Sequence, residues 1–205
     1  MTSIIKEFDT LAAPLAQSRV SIRRATAEDI VAVYPPEYAN AADQLADRST
    51  CERIRQANRD NIWTIVRRSN QQILGFYAMV MLSEAGQSAL LMGRFAAHDP
   101  AMAHIAADGA PVAAIYKWGV HAPGIAAGGI PLVAARLQMP GYRQANLYGT
   151  GTTIGGRRIM VAQGFVPRND PRTPGLFEYR RLANRSQSAA SAPGLSQSTE
   201  GGSNA

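Results

Sequence analysis

The run Val112 to Val120 is almost wholly apolar and leads without a break into His121-Ala122-Pro123-Gly124-Ile125-Ala126-Ala127-Gly128-Gly129. A strand with no polar alternation is buried on both faces, so this one belongs in the middle of a sheet. From Ile130 to Leu137 the pattern turns helical, with Pro131 tolerable in the first turn. Strand, glycine-rich loop and helix in that order make a device for holding phosphate. The N–H groups of a first helical turn have no partner inside the helix, and the helix dipole adds partial positive charge beside them. One such contact is worth only about 0.3–1 kcal/mol when exposed, so several amides must converge. Gly124, Gly128 and Gly129 let a ligand reach the backbone, and Ala126 and Ala127 keep the surface low. A plain flexible connection between strand and helix is the competing reading.

The flanking segments predict an α/β domain. Val20, Ile22 and Arg24 alternate with Ser21 and Arg23 as a short strand, and Thr26 with Asp29 forms a capping box that opens a helix. That helix carries Ile30, Val33 and Tyr34 on one face and stops at Pro35-Pro36. Ser49 with Glu52 opens a second helix reaching about Asn58. Ile62 to Arg67 and Ile73 to Leu82, separated by the polar turn Arg68-Ser69-Asn70-Gln71, read as an antiparallel hairpin. Ala89 to Phe95 reads as a further strand after a turn at Glu84-Ala85-Gly86, and a short helical connection follows between His98 and Pro111. Beyond the central strand and its helix, Pro140-Gly141 is a stop, Asn146 to Tyr148 a strand, Thr153 to Gln163 a helix closed by Gly164, and Leu176 to Leu182 a final strand.

With 205 residues the chain holds one ordinary core. The domain spans 19–183. Residues 1–18 carry a stripe of Ile4, Ile5, Phe8, Leu11 and Leu15 and read as a helical extension; Lys6, Glu7 and Asp9 break any signal-peptide core. Residues 184–205 are polar and small and read as a disordered tail. No apolar run is long enough for a membrane span, which excludes a membrane partner. Cys51 is the single cysteine, so an internal disulfide is excluded and a reducing, cytoplasmic setting is the simplest expectation. Lys+Arg of 21 against Asp+Glu of 15 gives +6, and Lys6 and Lys117 are the only lysines. Arginine pairs bidentately with phosphate and carboxylate, which suits an anionic ligand. The arginines fall in scattered doublets rather than a dense basic run, which argues against nucleic acid as the partner.

His121-x-x-Gly124-x-Ala126, placed between the fourth strand and the third helix, resembles the acyl-CoA loop of the GNAT N-acetyltransferase superfamily, usually Gln or Arg, two residues, Gly, one residue, then Gly or Ala. Gly164-Phe165 resembles that family's ending of its fourth helix, and the resemblance covers 19–183. It implies a mixed central sheet, splayed between the fourth and fifth strands and flanked by helices. It further implies an enzyme, an N-acyltransferase that moves an acetyl or longer acyl group from CoA to an amine by direct attack. Acetyl-CoA or another acyl-CoA would lie against Val120, His121, Gly124, Ala126, Gly128, Gly129 and Thr153. Three positions depart from the pattern. His121 replaces Gln or Arg, Thr153 stands where an asparagine often opens the helix, and Met160 stands where many members have a tyrosine general acid. Losing a general acid costs about 10²–10⁴ in rate, whereas alignment of amine and thioester supplies roughly 7–11 kcal/mol, so turnover can survive. Tyr116 and Tyr148 are the candidate catalytic groups near the splayed strands. Glu84, in the expected turn, and Glu178, expected to face solvent, are acidic alternatives.

Other readings carry less. Gly149-x-Gly151-x-x-x-Gly155 with Asp170 imitates a dinucleotide fingerprint, but too little chain follows for the remaining parallel strands, and close packing explains those glycines. His98, His104 and His121 lack metal-ligand spacing, so no metal is expected. Arg53 and Arg55 could depress the thiol pKa of Cys51, yet a lone cysteine is usually a small apolar residue. Trp63 and Trp118 sit at core-like positions. A chain of this kind that has lost turnover, acting as an acyl-CoA-binding or interaction module, is the alternative function. Acceptor, acyl length and oligomeric state, a homodimer included, stay open.

Overall fold

The computed structural model describes residues 19–33, 46–151 and 154–181. Strand β1 (Val20–Arg24) leads into helix α1 (Ala27–Val33), where the Thr26–Asp29 capping box forms as expected. The Thr26 N–H donates to Asp29 Oδ2 at 2.9 Å, and the Asp29 N–H donates to Thr26 Oγ1 at 3.3 Å. Helix α2 (Arg48–Ala57) starts one residue earlier than Ser49 predicts, because Asp47 takes the cap and accepts the Thr50 N–H at 2.7 Å. Strands β2 (Ile62–Arg67) and β3 (Ile73–Leu82) are the expected hairpin.

Ala89 to Phe95 is not a strand. Ser83 caps helix α3 (Glu84–Leu91) by accepting the Gly86 N–H, and Glu84 stands in its first turn rather than in a loop. The expected helical connection contracts to one 3-10 turn at Met102–His104. Strand β4 (Ala114–His121) then crosses the core. A 3-10 turn (Gly124–Gly128) and helix α4 (Gly129–Arg136) follow, then strand β5 (Asn146–Thr150) and helix α5 (Ile154–Ala162). Gly164 takes the left-handed conformation, φ +85°, that ends α5. A short strand β6 (Val166–Pro167), missing from the sequence reading, precedes β7 (Leu176–Tyr179), which stops before Arg180. The expected extension 1–18, Tyr34 with the Pro35-Pro36 stop, Thr153 and the tail 184–205 lie outside the described residues.

The sheet order is β1-β2-β3-β4-β5-β7-β6, and β4 with β5 is the parallel pair in an otherwise antiparallel sheet. This is the mixed α/β sheet expected from the sequence. Its two faces explain the apolar run in β4. Ala114 and Tyr116 face a cluster with Ile54 of α2 and Leu90 of α3. Ile115 faces the other way, with Trp63, Met79 and Val133 of α4. Helix α4 starts so close to β2 that a Cβ at Gly129 would stand 2.7 Å from Ile65 Cγ2.

Two carboxylates tie the β1 end of the sheet together. Asp29 accepts from both terminal nitrogens of Arg23 and from Thr64 Oγ1, and Asp60 accepts Arg24 Nε at 2.7 Å and Nη2 at 3.1 Å. Burial alone would raise both pKa values; the arginines, the Thr26 amide at Asp29 and the Tyr142 hydroxyl at Asp60 more than offset it, so both are lowered. Their stabilisation is complete above the unfolded aspartate value of about 3.9 and is lost as pH falls through the folded pKa. Asp29→Asn should therefore melt below the native protein at pH 7, and the difference should shrink on acidification towards pH 3, as followed by circular dichroism.

Candidate functional site

Strands β4 and β5 run side by side for four residue pairs, Ala114 with Asn146 through Lys117 with Gly149, and then part. Beyond Lys117, β4 continues to His121 with β3 alone as its partner, through Ala78–Gly119, Tyr77–Val120 and Phe76–His121. The register slips between Ala78 and Met79, so Trp118 is an extra residue in the ladder, a bulge that twists the strand where it leaves β5. β5 itself ends one residue after that last pair, at Thr150, so past Lys117 the β4 backbone groups directed away from β3 meet no strand among the described residues, which makes the end of the pairing a fork in the sheet. The Trp118 indole is held back from the sheet by donating to Ala97 O at 2.6 Å.

The glycine-rich loop begins where β4 ends, beyond this fork. His121 is exposed at the strand end with its ring stacked on Phe76, centroids 6.0 Å apart. Gly124 is left-handed, φ +55°, with open space where a Cβ would be. The first bond of the 3-10 turn joins the Ala126 N–H to Pro123 O at 3.0 Å, so the Gly124 and Ile125 amides precede the turn's own ladder. The sequence reading gave the loop more open amides than it has. The Ala126 and Gly129 N–H groups bond within the loop, Ala126 is fully buried against Val20 and Ile65, and Gly129 is small because of Ile65. Gly128, half-buried, is the residue before α4, and Val120, also half-buried, packs beside Tyr77. Thr153 lies outside the described residues.

Tyr116 and Tyr148 are cross-strand partners on the α2/α3 face, and each phenol is already engaged. Tyr116 Oη shares a hydrogen bond with Thr150 Oγ1, at the last residue of β5. Burial raises its pKa and the Thr150 bond pulls the other way. Tyr148 donates to Glu178 Oε1 at 3.0 Å and is raised by burial and by the Glu178 charge. Glu178 does not face solvent as expected: it is 4% exposed on β7, with Arg168 Nη1 at 3.2 Å and Arg180 Nε at 3.1 Å from its Oε2. Glu84 is exposed on α3. Tyr116 is thus the phenol at the fork itself, whereas Tyr148 belongs to a buried ion network below it.

Lys117, the last β4 residue before the fork, was missed as a site residue. It points to the opposite face, where its ammonium donates to Gln163 Oε1 at 3.1 Å, lies 3.9 Å from Met160 Sδ and 5.8 Å from the Tyr77 ring centroid. Burial lowers its pKa. The available signal was a lysine inside an otherwise apolar strand. Because unfolding returns that amine to its usual pKa near 10.4, the unfolded state binds more protons between the folded value and 10.4. The native protein should gain stability relative to Lys117→Met as pH rises from 7 to 10, measured by urea unfolding; equal pH slopes would contradict it.

Met160 is buried against Phe165 and Phe177, and Gly149 is small for the same contact, since a Cβ there would stand 2.9 Å from Met160 Cε. Burial pushes the Cys51 thiol up to about 11, opposite to the direction its neighbouring arginines suggested. Trp63 is buried in the core facing α4. Two grooves, of about 650 and 440 Å³, lie on the β1 side of α4 and share no residue with 114–130. Among the described residues no helix is long and apolar enough to cross a membrane.

No protein-family model and no curated protein matches the sequence. Among solved structures, the chain is similar to AtaTR in a crystal structure bound with AcCoA, at 13% identity and a TM-score of 0.46, over 83% of this chain and 98% of that one. It is also similar to a tyrosine-to-phenylalanine mutant of KacT, at 12% identity and a TM-score of 0.41, over 82% of this chain and 99% of that one.

Proposed function

We propose that the chain is an acyl-CoA-dependent N-acyltransferase of the GNAT type. The observation that carries this reading is the fork: β4 leaves β5 at Lys117, bulges at Trp118 and runs free-edged into a turn whose first amides, Gly124 and Ile125, precede its own hydrogen bonds. A diphosphate would sit at that turn beside His121 and Gly128, and the pantetheine arm would lie along the open edge of β4, adding to the sheet in the manner of a strand. The thioester then lies near the bulge, where β4 amides can donate to the oxyanion.

An amine acceptor attacks that carbonyl directly. The N–C bond forms, the C–S bond breaks, the nitrogen gives up a proton to water or a base, and the departing thiolate takes one. Tyr116 and the Lys117 amine flank the fork from opposite faces, and either is placed to deliver that proton through one water. Tyr148 orients rather than transfers, because its proton is committed to Glu178. Alignment is the main catalytic contribution of such a site. Met160 favours a second reading, an acyl-CoA-binding module without turnover, since it puts a buried thioether where a proton donor would serve.

Thiol release from acetyl-CoA and longer acyl-CoAs in the presence of a panel of primary amines and lysine peptides separates the two. Acceptor-dependent CoA release supports the enzyme. Thermal stabilisation by acyl-CoA with no release supports the module, and neither response contradicts both.

A further inference from the structure

The arginines that the fork does not use gather on the far side of α4. Arg24 at the end of β1, Arg68 in the turn after β2 and Arg136 in the last turn of α4 line the groove of about 650 Å³. Its floor includes Trp63, Leu132 and Met139, and no carboxylate among the described residues lines it. Two acids, Asp60 and Asp108, line the adjoining groove, which shares Arg24 and Arg136 with the first, and Asp108 accepts Arg59 Nε at 2.6 Å. Asp60 is already engaged: its side chain is 5% exposed, both its oxygens accept from Arg24, and Oδ2 also accepts the Tyr142 hydroxyl. It balances Arg24.

That leaves two guanidinium charges. Arg68 is exposed and makes one long bond, Nη2 to Val20 O at 3.4 Å. Arg136 lies over the Trp63 ring, 5.6 Å to its centroid, and its Nε is buried without a hydrogen-bond partner. A buried donor left unsatisfied costs about 1–3 kcal/mol, so a water or an anion that reached the Arg136 side chain would be stabilising. Stacking on an indole fixes the guanidinium plane, so its fork is oriented before any ligand arrives. The groove is open to solvent, and guanidinium groups share its lining with apolar side chains, so a ligand would lie along the surface with its charged end on the arginines.

We propose that this groove binds a small phosphomonoester, with the phosphate between Arg68 and Arg136 and the organic body against Trp63, Leu132 and Met139. Two unbalanced guanidinium groups match a dianion better than a carboxylate, and a phosphomonoester carries about −1.5 to −2 at pH 7. The groove shares no lining residue with 114–130 and stands whether or not the chain transfers acyl groups.

The test uses the full chain labelled with ¹⁵N and titrated with adenosine 5′-monophosphate and with hexyl phosphate, against sodium sulfate at matched ionic strength. Expected are saturable shifts of the Trp63 indole N–H and the Met139 amide with at least one phosphomonoester, and none with sulfate. Arg68→Gln, an exposed substitution that leaves the fold intact, should weaken binding about tenfold, roughly 1.4 kcal/mol, and Arg136→Gln at least as much. Saturating 3′-dephospho-acetyl-CoA, which keeps the thioester and diphosphate but lacks CoA's own phosphomonoester, should leave these shifts unchanged. The proposal is overturned by an absence of saturation up to about 10 mM, by an equal response to sulfate, by unchanged affinity in Arg68→Gln, or by displacement with 3′-dephospho-acetyl-CoA, which would move the binding to the fork.

Discussion

Gly75→Ala should raise KM for acyl-CoA about tenfold or more while costing about 1–3 kcal/mol of stability. Gly75 lies in β3 beside the root of the glycine-rich loop. A Cβ there would stand 2.2 Å from His121 O, 3.2 Å from His121 C and 3.3 Å from Ala122 Cα. All three atoms are backbone, so no rotamer change relieves the overlap and the chain must move just where β4 hands over to the turn. A displacement of about 1 Å at a positioning element costs on the order of 10² in rate. Gly141→Ala is the control, since nothing lies within 4 Å of the added methyl group and its φ is not positive; it should change neither melting nor KM. Initial rates at varied acyl-CoA, with urea unfolding alongside, check both. An unchanged KM in a folded Gly75→Ala protein would detach the loop from donor binding.

Removing Glu178 should destabilise the domain by about 1–3 kcal/mol, the range for leaving a buried hydroxyl without its acceptor. The Glu178→Ala change leaves the Tyr148 hydroxyl buried without an acceptor and takes from Arg168 the nearer of its two carboxylates, leaving it Asp170 at 4.0 Å. Glu178→Gln keeps the shape and an acceptor but removes the charge, so it should fall between native and alanine. If Tyr148 only orients β5, both variants should lose stability while the pH dependence of kcat in the folded remainder stays as in the native protein. A kcat profile displaced in Glu178→Gln would make Tyr148 a participant in proton transfer. Chemical denaturation and pH–rate profiles together separate these roles.

The legible parts of the fold were those fixed by local chemistry. The β2–β3 hairpin is alternation and β-branching around a polar turn, and the Thr26–Asp29 box and the Gly164 cap are short-range hydrogen bonding. Helix α3 was not legible because Gly86 looks like a turn residue. It is glycine instead because a Cβ would stand 2.0 Å from His104 O, a contact with a segment 18 residues away that no window of sequence contains. The α2 cap was misplaced for a simpler reason: Asp47 and Ser49 both suit the position, and the carboxylate takes the Thr50 amide while also accepting the Ser49 hydroxyl.

The site divides along the same line. The strand–loop–helix unit is local and was visible. Which of its small residues face a ligand was not, because Ala126 and Gly129 are small for Val20 and Ile65, on strands far back in the chain. The partners of Tyr116, Tyr148 and Lys117 come from β5, β7 and the end of α5, so their engagement emerges only when the sheet is assembled.

The central claim is that the fork between β4 and β5 and the turn after it hold an acyl-CoA. Titration of the ¹⁵N-labelled protein with acetyl-CoA addresses it residue by residue. The account predicts saturable shifts largest at the Gly124, Ile125 and Gly128 amides and along Trp118 to His121, with NAD causing none. Saturable binding that leaves those amides unmoved, or stronger shifts with NAD than with the thioester, would contradict it.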